Sequence, residues 1–459
     1  MAEKTRFFDN FAVHIAISAV LCYFAPMHNF LKGRLALIRL ILLAAVLALV
    51  AVGVAAVYSV GHPAQPGPAG QTGELAVYWK KQLIFAALSM AGFIAVNLVS
   101  YRRFGILSYW IFGIVLLLLA LLLVGRYLVD LPFVPERNGT HRWIQFKVAG
   151  RDLPALQPSE ICKIAYILAL AWYLRYRSNY RSFRALIGPF LLTLLPMVLI
   201  LAEPNLGTVL LMMPILFTML FVAGAKVRHL LIIVLLAVLI SPFLWGLMNH
   251  YQRIRISSVL LQFEWVQRKA EQYPTLGRIL VGTQFSAKQW KNREGYQLIR
   301  SKYAVASGGK TGYGFRRGPF VKYNFLPERH NDFIFAVIAH QWGFLGCLGL
   351  LALYAVVIAC GVEIAGNNTD PFGRLVAIGI VAMFAVEVIV NVSMTVGLMP
   401  ITGLTLPLVS YGGSSLLVSM ISVGLLNNVG RCRPFGMTRS VPKHGLARLG
   451  VSQTLRHVS

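Results

Sequence analysis

The chain has 459 residues, of which 57% are hydrophobic and only 13% charged, where soluble domains carry roughly a quarter charged residues. Its mean hydropathy of +0.67 and several apolar runs beyond the ~18 residues that mark a membrane helix exclude an ordinary soluble protein. The net charge of +27 would suggest nucleic acid in a soluble chain; here it points to basic cytoplasmic loops and to sites for anionic lipid or phosphate, with no nucleic-acid partner. The five cysteines, Cys22, Cys162, Cys347, Cys360 and Cys432, are scattered and form no Cys-x-x-Cys pair, so they predict neither a disulfide framework nor a zinc site.

Residues 1–36 come first. Their apolar stretch "FAVHIAISAVLCYFA" is short, holds His14 and is followed by no Ala-x-Ala cleavage pattern. It reads as an interfacial or disordered extension, or as a mis-assigned start that Met27 would remove. Ten spans follow, at 40–60, 83–99, 104–124, 159–174, 185–202, 206–222, 230–248, 333–360, 375–398 and 406–426. They predict an all-α polytopic membrane protein, with a membrane domain over 37–431 and a basic tail over 432–459. The eighth span would make ~42 Å of helix against a ~30 Å hydrocarbon core, so it must tilt, kink at a glycine or protrude.

Orientation follows from Lys and Arg in short loops. "SYRRFG", "RYRSNYRSFR", "GAKVRH" and the tail fall on one side together with the N-terminus, which makes that side cytoplasmic. The opposite side receives two long loops, 125–158 and 249–332. The second, between the seventh and eighth helices, carries 15 Lys/Arg against 5 Asp/Glu. A large basic external loop suits an anionic ligand; the bland reading is a solvated loop.

Ionisable residues in or beside spans are costly and usually functional. In "FLPERHNDFIFAVIAHQWGF" (325–344), Glu328, His330 and Asp332 crowd against an apolar run. Asp332, Ala336 and His340 share a helix face, and the small Ala336 would leave that face open. Spacing alone leaves two readings of Asp332, a catalytic carboxylate or a helix cap, a task that Asn331 could also perform. In "LQPSEICKIA", Gln157 and Pro158 open the fourth span, and Glu160 and Lys163 sit at i and i+3. They make either a simple ion pair or a lysine held for phosphate. In the ninth span Glu387, Asn391 and Thr395 lie on one face. In "LPLVSYGGSSLL", Ser410, Gly412 and Gly413 interrupt the tenth span, either for close helix packing or as irregular backbone lining a cavity. "SGGKTGYG" (307–314) is no P-loop, because Ala304 stands where the first glycine is needed. Its glycines predict a tight loop whose N–H groups and Lys310 are available to an anion.

Together "GTHRWIQF", "QPSEICK", "PNLGT", "YQRIR", "SGGKTGYG", "NFLPERHNDFIFAVI" and "GLMPITGLTLPLVSYGGSSLL" resemble, in the right order, the SEDS family (shape, elongation, division and sporulation). The resemblance covers about 40–428. It implies ten membrane helices and polymerisation of lipid II into glycan strands beside a class B penicillin-binding protein, in the bacterial inner membrane with both termini cytoplasmic and the active site outside. The family's catalytic aspartate falls on Asp332. It would take the proton of the acceptor sugar hydroxyl while undecaprenyl pyrophosphate leaves, its charge met by Arg142, Lys163, Arg253 or Lys302, or by a divalent cation such as Mg2+ or Mn2+. No organic cofactor is expected; membrane lipids are further partners. "NFLPERH" and "MPITG" resemble the elongation branch, RodA, rather than the division branch, FtsW; a lipid II flippase is the rival reading of another class. Three places depart from the family's pattern: His340-Gln341 replaces two glutamates, Glu203-Pro204-Asn205 replaces Gln-Pro-Asp, and Glu387 replaces glutamine.

Overall fold

The structure, a computed structural model, describes residues 34–431 apart from 65–74, 129–130, 137–139, 146, 149–150, 153–154, 177–182, 204, 249, 294 and 324. The expected N-terminal extension as far as residue 33 and the basic tail lie outside the described residues, as do Cys22 and Cys432. The long helices are α1 (Arg34–Gly61), α2 (Leu75–Leu98), α3 (Tyr101–Tyr127), α4 (Pro158–Leu174), α5 (Ile187–Ala202), α6 (Leu206–Val222) and α7 (Val227–Leu247). A group of shorter helices follows: α8 (His250–Leu261), α9 (Glu264–Gln272), α10 (Pro274–Val281), α11 (Ala287–Asn292), α12 (Tyr296–Ser307) and α13 (Pro319–Lys322). The chain returns to long helices with α14 (Ile334–Gly366), α15 (Pro371–Val396) and α16 (Gly413–Arg431). A two-residue antiparallel hairpin, β1 (Lys147–Val148) with β2 (Arg151–Asp152), interrupts the loop before α4.

The protein is thus an all-α polytopic membrane protein. Seven helices, α1, α2, α3, α5, α14, α15 and α16, are long and apolar enough to cross a membrane, and α6 and most of α7 are apolar but shorter. Their outward faces keep Leu117, Val198, Leu235 and Phe243 more than half exposed, as expected where lipid replaces water. By contrast α4 is buried nearly all round, the mark of a central helix. It packs against α3, α5, α6, α15 and α16. At the end of the bundle where α1 begins, Arg39 donates to Asn427 (2.9 Å), and Asn428 receives the Tyr101 N–H (3.3 Å).

One ionic cluster joins two of these helices. Lys163 Nζ on α4 lies 2.8 Å from Glu160 Oε2 one turn earlier and 2.6 Å from Glu387 Oε1 on α15, with all three side chains under 10% exposed. The i,i+3 pair read from the sequence is present, and Glu387 extends it into an interhelical bridge. This corrects the phosphate reading of Glu160 and Lys163: the buried ammonium is paired with two carboxylates.

α14 kinks where its length requires, at Gly343, whose φ is +61°. Below the kink, the backbone of 308–314 lies directly on the helix. The N–H groups of Tyr313 and Gly314 donate to the His340 and Gln341 carbonyls (3.1 and 2.8 Å), and those of Phe344 and Leu345 donate back to Gly309 and Lys310 (2.9 and 3.1 Å). Gly312 N–H donates to Gly308 (2.7 Å). The glycine loop is therefore a packing surface, which corrects the expected anion nest of glycine N–H groups: those of Gly308, Gly309, Gly312 and Gly314 all donate to backbone carbonyls, while Lys310 and Thr311 are exposed.

The departure at His340-Gln341 belongs to this contact. Phe320 N–H points at His340 Nε2 (3.4 Å), Ser307 Oγ sits 2.7 Å from Nδ1, and the Ser307 hydroxyl donates to the Ala304 carbonyl (2.8 Å). With Nε2 accepting and the hydroxyl proton committed, Nδ1 carries the hydrogen. Gln341 donates to Ser59 Oγ on α1 (2.7 Å) and accepts the Arg316 N–H (2.9 Å). Nor is Ala336 on an open face, as its size suggested: it is fully buried against Leu298, Phe320, Leu326 and Ile401.

Two predictions follow from this packing. In detergent, Lys163→Met strands two buried carboxylates and costs about 3–5 kcal/mol of stability, whereas Glu387→Gln leaves the Glu160 pair whole and costs less; thermal unfolding of the purified variants compares them. Gly343→Ala brings a Cβ within 2.6 Å of Lys310 backbone at a φ that alanine avoids, and lowers the unfolding temperature. Gly349→Ala, in the same helix with open space around it, is neutral or stabilising by up to about 1 kcal/mol.

Candidate active site at the mouth of α14

The turn before α14 is fixed carbonyl by carbonyl. Glu328 takes a left-handed φ of +49°, and its carbonyl accepts the N–H groups of Asn331 (3.0 Å) and Phe333 (3.3 Å). The His330 carbonyl accepts Tyr411 N–H (3.0 Å), that of Asn331 accepts the Ser410 hydroxyl (2.7 Å), and that of Asp332 accepts Asn391 Nδ2 (3.0 Å). Arg329, 2% exposed, donates to Phe320 and Val321 in α13 and to Val60 on α1. Burial pushes its pKa down to about 10.

The capping reading of the sequence does not hold. Phe333 occupies the N-cap of α14 with no side-chain cap bond, and Asn331 Oδ1 is buried without a hydrogen-bond partner. The turn is held by backbone and by α15 and α16 instead, so Asp332 has no capping task. Its carboxylate accepts no hydrogen bond from any described residue. Burial, reinforced by the negative charge of Glu328, pushes its pKa up to about 7, against the opposing pull of Arg255 and Arg142.

The segment between α15 and α16 lines the same place. Gly403, with φ +73°, approaches so closely that a Cβ there would lie 3.3 Å from Asp332 Oδ2. Its irregular backbone is satisfied by protein, as membrane burial demands. Asn391 donates to the Leu404 carbonyl (2.6 Å), Tyr354 to Pro407 (2.5 Å) and Gln82 to Ser410 (3.2 Å), while Leu406 N–H reaches Ser410 Oγ (2.8 Å). The sequence placed the tenth helix from 406; it begins at Gly413, where the backbone becomes regular.

The His330 ring packs beside two tyrosines, 4.9 Å from Tyr78 and 5.6 Å from Tyr411, which themselves stack at 4.8 Å. Burial first, then the charge of Arg329, pushes its pKa down to about 4, so the ring is neutral at neutral pH. Arg142 donates to the Glu203 carbonyl (2.8 Å), and its charge reaches both Glu203 and Asp332. Glu203 is 2% exposed and neither carboxylate oxygen has a hydrogen-bond partner among the described residues; burial pushes its pKa up to about 8, against Arg142 and Arg126.

Of the residues expected from sequence, Glu328, His330, Ser410 and Arg142 gather around Asp332. Others have different tasks. Arg253 donates to the Met248 and Gly246 carbonyls (3.0 and 2.7 Å), closing the end of α7. Lys302 donates to Gln262 Oε1 (2.8 Å), which in turn holds the Gly397 carbonyl. Ser410 has its hydroxyl committed on both sides and positions the turn. Gln157 caps α4 and its N–H binds Ser414 Oγ (3.1 Å). Gly413 makes room for the Phe85 ring, and Gly412 has only Ser415 within reach of an added Cβ. Reading the sequence missed Arg255, Tyr78 and Tyr411. Arg255 stood in the quoted "YQRIR", but only the fold brings its charge to Asp332.

Among the described residues no three His, Cys, Asp or Glu side chains converge as a metal-holding group. Glu328 is the one further carboxylate that acts on Asp332, so this donor set does not make a resident cation site.

A family model described as "Cell cycle protein", FtsW/RodA/SpoVE, matches residues 39–433. The peptidoglycan glycosyltransferase RodA of Treponema pallidum is 32% identical over 437 residues, covering 85% of this chain and 96% of that protein. A probable peptidoglycan glycosyltransferase FtsW of Trichlorobacter lovleyi is 33% identical over 401 residues, covering 86% and 94%. A solved structure described as structural coordination of polymerization and crosslinking by a peptidoglycan synthase complex superposes with a TM-score of 0.64 at 30% identity, covering 85% of this chain and 96% of that one. The chain belongs to the FtsW/RodA/SpoVE family, the SEDS proteins.

Proposed function

We propose that the protein is a peptidoglycan glycosyltransferase that polymerises lipid II, with Asp332 as the general base. The observation that carries this reading is a carboxylate without a hydrogen-bond partner among the described residues, held on a turn whose carbonyls are hydrogen-bonded to α15 and the segment after it, with its pKa pushed up to about 7. A general base works best with a pKa near the working pH. Asp332 takes the proton from the acceptor GlcNAc 4-hydroxyl as that oxygen bonds to the anomeric carbon of the donor. The bond from that carbon to undecaprenyl pyrophosphate breaks, and the pyrophosphate leaves as an anion. Arg142 and Arg255, whose charges already act on Asp332, stabilise the negative charge that develops there. A divalent cation, where one takes part, arrives with the pyrophosphate, because the residues around Asp332 do not form its site.

In this reading all ten long helices cross the bacterial inner membrane, both termini are cytoplasmic, and Asp332 opens beneath the external 249–332 segment. The basic character of that segment supports an anionic substrate. A class B penicillin-binding protein is the proposed partner, on the likeness to a complex in which polymerization and crosslinking are coordinated. "NFLPERH" and "MPITG" favour the elongation role, RodA; near-equal identity to an FtsW relative keeps the division role as the second reading. A flippase would need ionisable groups along a midplane path. The two residues that suggested one are committed elsewhere, Glu387 to Lys163 and His340 to Ser307.

Glycan synthesis from lipid II by the purified chain with its partner tests the chemistry. Asp332→Asn is expected to lose about 10²–10⁴-fold in rate. Because the base acts deprotonated, wild-type kcat/KM rises with pH through about 7, and the residual activity of the variant lacks that inflection. Normal polymerisation by Asp332→Asn removes this residue from the mechanism, and lipid II translocation across vesicles without polymer replaces the reading with a transporter. Depletion in cells distinguishes the branches: rounding indicates elongation, filamentation division.

A further inference from the structure

At the end of the bundle opposite Asp332 lies a cavity of about 420 Å3 between α3, α4 and α15, within the ~300–1,000 Å3 range of small-ligand sites. Arg102 and Ile106 come from α3, Trp172 and Arg175 from the end of α4, and Asp370 and Phe372 from the start of α15. We infer that this cavity binds the phosphodiester headgroup of an anionic membrane phospholipid, with one acyl chain laid along α3.

The charge balance favours a monoanion. Two guanidiniums face one carboxylate, and that carboxylate is largely occupied: Asp370 Oδ2 accepts the Tyr101 hydroxyl (2.7 Å) and lies 3.8 Å from Arg102, while Oδ1 accepts Phe372 N–H (3.3 Å). The Arg175 guanidinium lies over the rings of Trp172 and Tyr176. It makes no hydrogen bond or ion pair to any described residue, so its fork of N–H donors is available to a bidentate acceptor. Phosphate oxygens have that geometry.

The apolar side of the cavity identifies the source of the phosphate. Ile106 is 58% exposed, and Trp110, Ile114 and Leu117 on the same side of α3 are 75%, 59% and 66% exposed. Gly113 between them has open space around it. From Arg102 to Leu117 the stripe runs about 22 Å, enough for an acyl chain that starts at the headgroup and reaches past the middle of a ~30 Å core. A soluble phosphate would have no use for this wall.

Native mass spectrometry of the delipidated full chain, titrated with phosphatidylglycerol, tests the site. Wild type is expected to retain one lipid that Arg175→Gln binds about tenfold more weakly, the loss of one or more charged hydrogen bonds; Arg175→Lys, which keeps the charge without the fork, falls between. Phosphatidylcholine and inorganic phosphate at equal concentration are expected not to displace the lipid. Equal retention by wild type and a folded Arg175→Gln, or displacement by inorganic phosphate, overturns the inference. If Arg175→Gln does not fold, Trp110→Ala replaces it, since shortening the acyl wall also weakens retention under this reading and leaves it unchanged otherwise.

Discussion

Inside a membrane, a backbone N–H or C=O without a partner costs several kcal/mol, and this chain has irregular backbone at the ends of its long helices in two places that meet. Between α15 and α16 the backbone is irregular from residue 397 to 412, and before α14 a turn folds back at Glu328. Asn391 joins the two by donating to Asp332 and to Leu404, and Ser410 joins them again through Asn331. Removing Asn391 would leave a carbonyl of each segment without this partner, and removing Ser410 would leave the Asn331 carbonyl and the Leu406 N–H without theirs. The position of Asp332 is therefore a consequence of how two broken backbones satisfy each other, and a carboxylate placed in this way needs no hydrogen bond of its own to stay in register.

That arrangement also sets its acidity. A carboxylate that accepted the N–H groups of its own turn would be stabilised as an anion and would be a weak base. Here those N–H groups, on Asn331 and Phe333, turn to the Glu328 carbonyl instead, and burial acts on Asp332 without a hydrogen bond to offset it. Glu328 raises the pKa further, while Arg255 and Arg142 restrain it. The left-handed conformation of Glu328, unusual for a residue with a side chain, is the local strain that makes this distribution of N–H groups feasible; such strain gathers at functional sites.

Much of the bundle was legible in the sequence because apolar length is a strong signal: the spans at 206–222 and 159–174 match α6 and α4 within one residue. The kink of α14 was required by its length, although Gly343 as its place was not. Less legible was anything that depends on partners distant in sequence. Glu160 and Lys163 announced their pairing by spacing, but Glu387, more than two hundred residues away, could be assigned to them only by the fold. Ala336 looked like an opening because small residues leave space on an isolated helix; Leu298, Phe320, Leu326 and Ile401 fill it. Asn331 looked like a helix cap because its type and position suit one, yet the backbone took over that task.

The substitutions that set this chain apart from the expected pattern follow the same logic. A glutamate in place of His340 could accept the Phe320 N–H but could not also donate to Ser307, since an ionised carboxylate only accepts. Gln341, donating to Ser59 and accepting from Arg316, likewise uses both functions of its amide. In this chain the pair below Asp332 carries no negative charge, and it clamps the glycine loop and α1 to the kinked helix. The carboxylates that act on the site are thereby reduced to Glu328 at the surface and Asp332 itself, with Glu203 reached only through Arg142. Under the proposed function such a site would gain from that economy, because every buried carboxylate removed from its floor is one less charge to oppose an anionic leaving group.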